Sequence, residues 1–265
     1  MPEGHTIHRL AREHTGLLAG RSVGASSPQG RFADGAARIE GRRLRRVDPY
    51  GKHLFYSFDG AEPLHVHLGL YGTFVAGTLP APEPRGALRL RLTTDESFVD
   101  LRGPTACELI TPGEMRSILA RLGPDPLRRS ASPQPSWDRI RGSRAPIGGL
   151  LLDQSVLAGV GNVYRAEILY RHRIDPHRPG RDLTEVGWLA MWVDLQQLMR
   201  AGVRVGRIVT TRREHRDRRR GPASREDAVY VYRRTGLPCR VCGTQVRTEL
   251  MAARNLYWCP ACQVA

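Results

Sequence analysis

The sequence predicts an α+β fold with an N-terminal β-sandwich flanked by helices, a helical domain and a small C-terminal metal-binding hairpin. Three observations support this prediction: short apolar runs between glycine and proline turns over 22–111, helical periodicity beyond 137, and four cysteines near the C-terminus. We expect domains over 2–122, 137–228 and 229–265, and a proline-rich linker at 123–136.

The charge of the chain indicates the class of its partner. Among its 265 residues, 41 are Lys or Arg and 26 are Asp or Glu, which gives a net charge of +15. A chain this basic favours a polyanion, with nucleic acid as the first candidate and a membrane surface as the rival. The sequence has no long apolar run and no signal-peptide core, so we expect a monomeric, cytoplasmic, nucleoid-associated protein.

The first residues, Met1-Pro2-Glu3-Gly4, contain a candidate nucleophile. Removal of Met1 would leave Pro2 with a secondary α-amine that titrates near pH ~8 and can form an iminium with an electrophilic carbon. Glu3 could then give or take the proton. The alternatives are that the Met-Pro start arose by chance and that Glu3 is an ordinary acid in a first helical turn.

Helical periodicity begins directly after Glu3. Apolar residues recur at 7, 10, 11, 17 and 18, with His14 on the same face. The positive end of this helix would favour the Glu3 carboxylate and disfavour a protonated Pro2 amine.

Two turns of the predicted sandwich present exposed side chains. The turn Tyr50-Gly51-Lys52-His53 presents Lys52 as a candidate functional residue. The alternative is that Lys52 is an ordinary solvated charge. The tip Gly69-Leu70-Tyr71-Gly72 presents two large apolar side chains, unless they fold back into the core. The strand at 87–92 should direct Leu88, Leu90 and Leu92 inwards and its arginines outwards.

The helical part of the sequence contains a glycine-rich reversal. We expect a short helix at 112–122, a helix from Pro146 to about Leu157, and a helix over 163–173 with Asn162 as its N-cap. The turn at 159–162 leaves helix N–H groups available for a phosphate, although an ordinary helical hairpin has the same pattern.

A third helix should begin with a capping box formed by Asp182 and Glu185. Its predicted apolar stripe consists of Leu183, Val186, Leu189, Trp192, Val193 and Leu198. The basic run at 212–220 lacks apolar periodicity, so we expect a loop that adds attraction to DNA without sequence preference, or a simply solvated one.

The tail has the spacing of a structural zinc site. Cys239 and Cys242 are followed after 16 residues by Cys259 and Cys262, which suits two knuckles that share one tetrahedral ion. Four thiolates leave no open ligand position, so we predict a single structural Zn²⁺. Cys107 lies far away and is interpreted as buried bulk.

Together these motifs resemble the formamidopyrimidine-DNA glycosylase / endonuclease VIII family. The resemblance rests on the Met-Pro-Glu-Gly start, the Gly51-Lys52 hairpin, the segment 152–162 with Leu-Asp-Gln and Ala-Gly-Val-Gly-Asn, and the four-cysteine hairpin. The motifs occur in the family's order and span nearly the whole chain.

The resemblance implies a base-excision enzyme whose sandwich and helix–two-turns–helix domain flank damaged double-stranded DNA. Pro2 would be the nucleophile, Glu3 the acid/base and Lys52 the catalytic hairpin lysine. His67, Asn162 and Arg254 match positions that family members use on phosphates, and Arg254 is also carried over as part of the catalytic set. Leu70 and Tyr71 would fill the gap left by a flipped base.

The branch of the family is indicated by the tip and by a second loop. Residues 100–105 lack the phenylalanine that the purine branch supplies, and Leu70-Tyr71 with the tail 257–263 resembles endonuclease VIII, so we expect oxidised pyrimidines as substrates. Gly69 departs from that branch. The alternatives are an oxidised-purine glycosylase of the same family and a DNA-binding zinc-ribbon protein without catalysis.

Overall fold

A computed structural model of the protein describes residues 2–218 and 220–264. Met1, on whose removal the Pro2 hypothesis depends, lies outside the described residues, as do Arg219 of the basic run and Ala265. The chain divides into two compact units, Met1–Ala120 and Arg121–Ala265. Within the described residues, no helix combines the length and apolar character needed to cross a bilayer.

The first unit contains two four-stranded antiparallel sheets and three helices. The helices are α1 (Gly4–Leu18), α2 (Ala33–Ile39) and α3 (Pro112–Ala120). The strands are β1 (Gly24–Ser26), β2 (Leu44–Tyr50), β3 (His53–Phe58), β4 (Leu64–His67), β5 (Thr73–Thr78), β6 (Leu88–Thr93), β7 (Ser97–Arg102) and β8 (Ala106–Leu109). One sheet has the order β1-β6-β7-β5 and the other β2-β3-β4-β8.

A core of buried residues lies in this unit and includes residues of both sheets and of α1 and α2. Leu88, Leu90 and Leu92 of β6 are buried as the alternation predicts, and Arg91 pairs with Asp100 of the neighbouring strand. The apolar stripe of α1 is buried too, so the predicted first helix is confirmed. Burial lowers the pKa of His14 to about 3, so this imidazole is neutral where it meets the Tyr56 hydroxyl.

The second unit combines four α-helices with a two-stranded hairpin. The elements are α4 (Gln134–Arg141), α5 (Ile147–Leu150), α6 (Asn162–Arg171), α7 (Glu185–Val205), β9 (Arg247–Met251) and β10 (Arg254–Trp258). The helices enclose a core that includes Trp137, Tyr164, Ile168 and Trp188. A smaller cluster, which includes Tyr170, Tyr230 and Tyr257, lies beside the cysteines.

The segment 123–136 differs from the linker that its prolines predict, because it packs within the second unit. The Gly123 N–H donates to the Gln154 carbonyl at 2.9 Å, and the Ser136 hydroxyl donates to the Val156 carbonyl at 2.7 Å. Trp188 and Gln196 donate side-chain N–H groups to the carbonyls of Pro133 and Pro126. Prolines fix the backbone direction here while their carbonyls remain available as acceptors.

The predicted helix boundaries around the glycine-rich turn are partly wrong. Helix α5 ends at Leu150 rather than near Leu157, and the N-cap of α6 is Gly161 rather than Asn162. The Gln154 side chain replaces the expected helix, since it donates to the carbonyls of Leu152 and Val160 and accepts from the Gly159 N–H. The side-chain amide of Gln154 thus stabilises the turn in place of helical backbone hydrogen bonds.

The N-cap and the apolar stripe of α7 also differ from the prediction. Thr184, not the Asp182 pair, caps the helix by accepting from the Gly187 N–H at 3.1 Å. The buried face contains Trp188, Met191, Trp192, Leu195 and Met199, whereas Val186, Leu189 and Val193 are exposed. Two apolar stripes run along this helix, and the one with tryptophan and methionine has the greater area to bury.

A buried carboxylate organises the segment that leads to the cysteines. Glu167 of α6 is fully buried and accepts hydrogen bonds from the backbone N–H groups of Tyr230, Val231 and Tyr232 at 2.7–2.9 Å. The Thr210 hydroxyl also donates to it. A buried carboxylate with this many donors is satisfied, and it fixes the backbone direction of 230–232.

We predict that Glu167→Gln destabilises the protein by about 2–3 kcal/mol, because the new amide would place donors against backbone donors. Denaturant unfolding measures this difference. The matched control is Glu185→Gln, at an exposed first-turn glutamate of α7; it should change stability by less than about 0.5 kcal/mol. Equal stabilities of the two variants would contradict this role of Glu167.

Candidate active site and nucleic-acid interface

Pro2 and Glu3 lie where α1 begins. Glu3 is the N-cap residue, with extended backbone (φ −116°, ψ 175°), and its carbonyl accepts from the Thr6 N–H at 2.9 Å. The Glu3 side chain is fully buried, while Pro2 is half-buried. A carboxylate buried directly after a candidate nucleophile is a candidate acid–base group. The positive end of the α1 dipole favours the ionised carboxylate here.

Lys52 occupies the predicted hairpin turn between β2 and β3. Tyr50 pairs with His53, which leaves Gly51 and Lys52 as the two turn residues, and Gly51 has a left-handed φ of 57°. Glycine adopts this conformation without steric cost, so the turn stays tight and the lysine follows it directly.

His67 lies at the end of β4, next to the Lys52 turn. It pairs in register with His53, and the two rings lie 4.9 Å apart. Burial lowers the pKa of His67, and its electrostatic interactions with His65 and Lys52 lower it further. His67 is therefore a neutral imidazole at physiological pH, which can donate one hydrogen bond but carries no charge.

Leu70 and Tyr71 form an exposed tip, as the sequence predicts. Their exposed fractions are 47% and 85%. Gly69 has a φ of +66°, and a Cβ there would lie 1.8 Å from the Thr105 hydroxyl. Gly69 is therefore required by the packing of the tip on the loop 103–105.

The stretch 100–105 is held in place by ion pairs and hydrogen bonds within the first unit. Asp100 is buried and pairs with Arg91 at 2.7 Å and with Arg102 at 3.3 Å. Arg102 also donates to the Arg85 carbonyl, so its guanidinium is occupied within the unit. The Thr105 N–H donates to the His67 carbonyl at 2.9 Å and joins this loop to β4.

Asn162 and Arg165 attach α6 to the hairpin of β9 and β10. The Asn162 amide donates to the Asn255 carbonyl at 2.8 Å. The fully buried Arg165 donates to the carbonyls of Asn255 and Met251 at 3.2 and 3.3 Å, and to the Asn162 side chain. The helix start and the hairpin turn are therefore held in one arrangement.

Arg254 is exposed directly after the hairpin turn. Met251 pairs with Arg254, and the two turn residues, Ala252 and Ala253, both have left-handed φ values of 51° and 56°. This is a type I′ turn, in which alanine costs roughly 1–2 kcal/mol per residue relative to right-handed backbone. Arg254 therefore stands at a rigid, strained tip, where a guanidinium suits a phosphate.

The four tail cysteines converge as the spacing predicts. Their sulfur atoms all lie within 4.8 Å of one another, with Cys239–Cys262 at 3.9 Å and Cys242–Cys259 at 3.5 Å. Four thiolates about 2.3 Å from one Zn²⁺ would lie about 3.8 Å apart, so this cluster fits a tetrahedral ion. The Tyr170 hydroxyl contacts the Cys239 sulfur at 3.0 Å and connects α6 to the cluster.

Several residues of these sites were missed by the sequence analysis. Arg165 and Glu167 look like ordinary helix charges, and nothing in the sequence shows that both are fully buried. His53, His65 and Glu108 also went unnoticed, although the spacing His65-x-His67 on a strand places both rings on one face. Cys107 is buried as expected, and burial raises its pKa to about 12.

Family models match three segments of the chain. Residues 1–107 match the formamidopyrimidine-DNA glycosylase N-terminal domain, and residues 122–214 match the H2TH domain of the same family. Residues 236–264 match the zinc finger found in FPG and IleRS.

Known proteins resemble the chain over most of its length. Endonuclease 8 1 of Mycobacterium tuberculosis is 54% identical over 267 residues, covering 99% of this chain and 100% of that protein. Formamidopyrimidine-DNA glycosylase of Thermus thermophilus is 36% identical over 229 residues, covering 86% of this chain and 85% of that protein.

Solved structures share the fold. The MutM (Fpg) protein from Thermus thermophilus superposes with a TM-score of 0.79 at 30% identity, covering 99% of this chain and 98% of that one. MutM in complex with carbocyclic 8-oxo-G containing DNA gives 0.82 at 21% identity, with 99% of each chain covered, and so supports the fold alone. The two units, the four-cysteine hairpin and these matches together show that the chain belongs to the formamidopyrimidine-DNA glycosylase / endonuclease VIII family of DNA-repair glycosylases.

Proposed function

We propose that this protein is a bifunctional DNA glycosylase and abasic-site lyase of base excision repair, with oxidised pyrimidines in double-stranded DNA as its favoured lesions. The observation that carries the proposal is the buried Glu3 carboxylate at the start of α1, directly after Pro2, in a chain of this family. Its working place would be chromosomal DNA in the cytoplasm, where we expect it to act as a monomer.

The Pro2 amine is the proposed nucleophile. It attacks C1′ of a flipped nucleotide, the C1′–N bond breaks, and the base leaves with a proton. Glu3 is the proposed source of that proton or its relay. The C1′–O4′ bond of the sugar then opens as O4′ takes up a proton and the Pro2 nitrogen loses its own, which gives an iminium. This iminium acidifies the C2′ proton, so that the 3′ phosphate and then the 5′ phosphate are eliminated. This β,δ-elimination leaves a one-nucleotide gap.

Lys52 is the proposed second cation of the reaction. A tight two-residue turn fixes the backbone of the lysine. The side chain can therefore reach a phosphate or the sugar without ordering further backbone. Its ammonium would stabilise developing negative charge on the DNA and exchange a proton with the sugar, both during base loss and during the ring opening and elimination that follow.

Asn162, Arg254 and His67 are the proposed phosphate contacts. Arg254 contributes a full charge, whereas His67, which is neutral, contributes only a hydrogen bond. One structural Zn²⁺ held by Cys239, Cys242, Cys259 and Cys262 would supply folding free energy to the hairpin that carries Arg254. Arg165 adds a metal-independent attachment of that hairpin to α6.

The lesion class is inferred from the tip. Leu70 and Tyr71 are the proposed gap-fillers, and Arg102 is occupied within its unit rather than offered to DNA. The full-length relative at 54% identity is named endonuclease 8 1, which favours the same branch. The alternative is an oxidised-purine glycosylase, which is favoured by the Thermus relative at 36% identity.

The lesion prediction is tested by ranking substrates. We expect faster single-turnover cleavage of thymine-glycol and dihydrouracil duplexes than of 8-oxoguanine opposite cytosine. An abasic duplex serves as the control, because it reports the lyase step without base recognition. The reverse ranking, with the abasic duplex still cleaved, would assign the protein to the oxidised-purine branch.

A second prediction separates the two chemical steps at Glu3. Glu3→Gln should slow base excision by ~10²–10⁴-fold, the usual contribution of general acid–base catalysis, because expulsion of an intact base needs a proton. The same variant should keep substantial cleavage at a preformed abasic site, whose aldehyde is already electrophilic. Pro2→Gly is the comparison and should impair both substrates. Equal losses for Glu3→Gln on the two substrates would show that Glu3 is not the step-specific acid.

The third prediction concerns the salt dependence of DNA binding. Arg254→Ala should lower the slope of log affinity against log salt by about 0.9, the value for one phosphate. His67→Ala should weaken binding at pH 7.5 without changing that slope, because burial keeps this imidazole neutral. Only well below the usual histidine range, where His67 gains a proton, should its removal lower the slope.

Arg247→Ala is the matched control for Arg254, since Arg247 is exposed at the opposite end of the same hairpin. It should leave the slope close to that of the unmodified protein. A slope that falls equally for Arg247→Ala and Arg254→Ala would mean that the hairpin contributes only diffuse charge.

A further inference from the structure

Three side chains from neighbouring strands form a hydrogen-bonded chain in the first unit. Nδ1 of His65 lies 3.0 Å from Oε1 of Glu108, and Nε2 of His65 lies 2.9 Å from Nδ1 of His53. The three residues come from β8, β4 and β3, and we call them the histidine relay. No residue of this relay belongs to the catalytic set proposed above.

The strand register explains why these side chains meet. His65 pairs with Phe55 on one side and with Glu108 on the other, so all three residues face the same side of the sheet. His53 lies two residues from Phe55 and therefore shares that face. Its ring stacks on that of His65 at 5.1 Å, with 21° between the planes.

Burial changes along the relay. The Glu108 side chain is 55% exposed, His65 is buried at 4%, and His53 is half-buried. The relay therefore begins at a carboxylate in contact with water and passes through a buried ring. Its far end is the residue that directly follows Lys52.

The hydrogen bonds define one tautomer for each neutral ring. A carboxylate can only accept, so Nδ1 of His65 must donate to Glu108. Nε2 of His65 then carries a lone pair and accepts from Nδ1–H of His53. Nε2 of His53 is consequently an acceptor nitrogen, as in the hydrolase triads, where a carboxylate orients an imidazole and stabilises its protonated form.

The acceptor end lies within the proposed phosphate- and sugar-binding corner. His53 is bonded to Lys52 through the chain, and its ring lies 4.9 Å from that of His67. The titratable and charged groups near the relay include Lys52 in the turn, His67 on β4, and Asp48, which lies opposite Phe55 on β2. Arg31, Asp34 and Arg38 line a surface pocket together with Glu108.

We propose that Glu108, His65 and His53 are positioning residues that form a proton relay between solvent and the Lys52 turn. Nε2 of His53 takes a proton from the Lys52 ammonium or from its water, and Nδ1–H of His53 passes its proton to Nε2 of His65. Nδ1–H of His65 passes its proton to Glu108, which releases it to water. One proton moves in all, no bond to carbon changes, and Lys52 regains its proton by the reverse path.

This inference rests on the proposed role of Lys52. It explains how the Lys52 ammonium would exchange protons with solvent during the reaction. Two imidazoles on a sheet face cost more to bury than the β-branched residues that strands favour. A network that only joined strands would not need an end exposed to water. The arrangement of one exposed carboxylate, one buried ring and one ring on the residue that follows the lysine fits proton exchange.

The test compares Glu108→Gln with a matched control. Glutamine can still accept from His65 but carries no charge, so the network is kept while its protonated form loses stabilisation. We expect single-turnover cleavage of an abasic duplex to slow by about 10-fold, less than direct acid–base loss because the group acts through others. Affinity for an uncleavable tetrahydrofuran duplex should stay unchanged. The control is Glu96→Gln, which removes a surface carboxylate paired with Arg21 and should change neither quantity.

A double-variant cycle decides whether the effect runs through Lys52. In a Lys52→Ala background, Glu108→Gln should cause no further loss, since residues that act as one unit are not additive. A further loss of about 10-fold there would overturn the relay. So would a Glu108→Gln rate equal to that of the unmodified protein.

Two more measurements keep the outcome independent of folding and of the proposed chemistry. Imidazole ¹⁵N spectra should show Nδ1–H tautomers for both His53 and His65, and an Nε2–H form of either would contradict the relay as drawn. His65→Leu removes the buried ring. If thermal melting shows that this variant is folded, its cleavage rate should match that of Glu108→Gln. If the unmodified protein cleaved no abasic duplex at all, the proposed lyase function would be wrong. If the unmodified protein cleaved it, the spectra showed the expected tautomers and Glu108→Gln kept the full cleavage rate, the relay alone would be wrong.

Discussion

The chemistry proposed for this protein depends on how α1 begins. Extended backbone at Glu3 turns into helix at Gly4, so the Glu3 carboxylate and the Pro2 ring are held at the positive end of the helix dipole. The apolar stripe of α1 packs into the sandwich core, which fixes that end in place. An apolar residue at position 3 could be buried at a lower cost in stability than a carboxylate. The proposed chemistry needs an acid next to the amine, which explains a glutamate at this position.

In the second unit, α6 has the corresponding role. Arg165 binds carbonyls of the hairpin, and Glu167, two residues later, binds backbone N–H groups before the cysteines. Opposite charges on two sides of one helix thus hold an acceptor-rich turn and a donor-rich segment. Such buried, hydrogen-bonded charges define one arrangement at the expense of some stability. The result is an exposed Arg254 on a hairpin with little freedom to move.

Local chemistry explains which features could be predicted from the sequence. The start of α1, the Lys52 turn, the exposed Leu70–Tyr71 tip and the four-cysteine cluster each depend on a few adjacent residues or a fixed spacing. The Gly69 requirement could not be predicted, because it arises from Thr105 in a distant loop.

Predictions that depended on competition between equivalent local patterns were wrong. Thr184 and Asp182 are both good N-caps, and α7 has two apolar stripes, of which the one with Trp188, Met191 and Trp192 is buried. The shortened α5 reflects Gln154, whose side chain satisfies the turn by itself. The histidine relay and the Glu167 site each depend on a contact between residues 43 positions apart, which periodicity does not reveal.

Borohydride trapping measures whether the Pro2 amine forms the covalent intermediate with DNA. The protein, with Met1 removed, is incubated with a thymine-glycol duplex and reduced, and the adduct is mapped by mass spectrometry of its peptides. We expect one stable adduct per active chain, located at Pro2, and none when Met1 is retained or an N-terminal extension is added. An adduct at a lysine, or full trapping by the extended protein, would contradict this expectation.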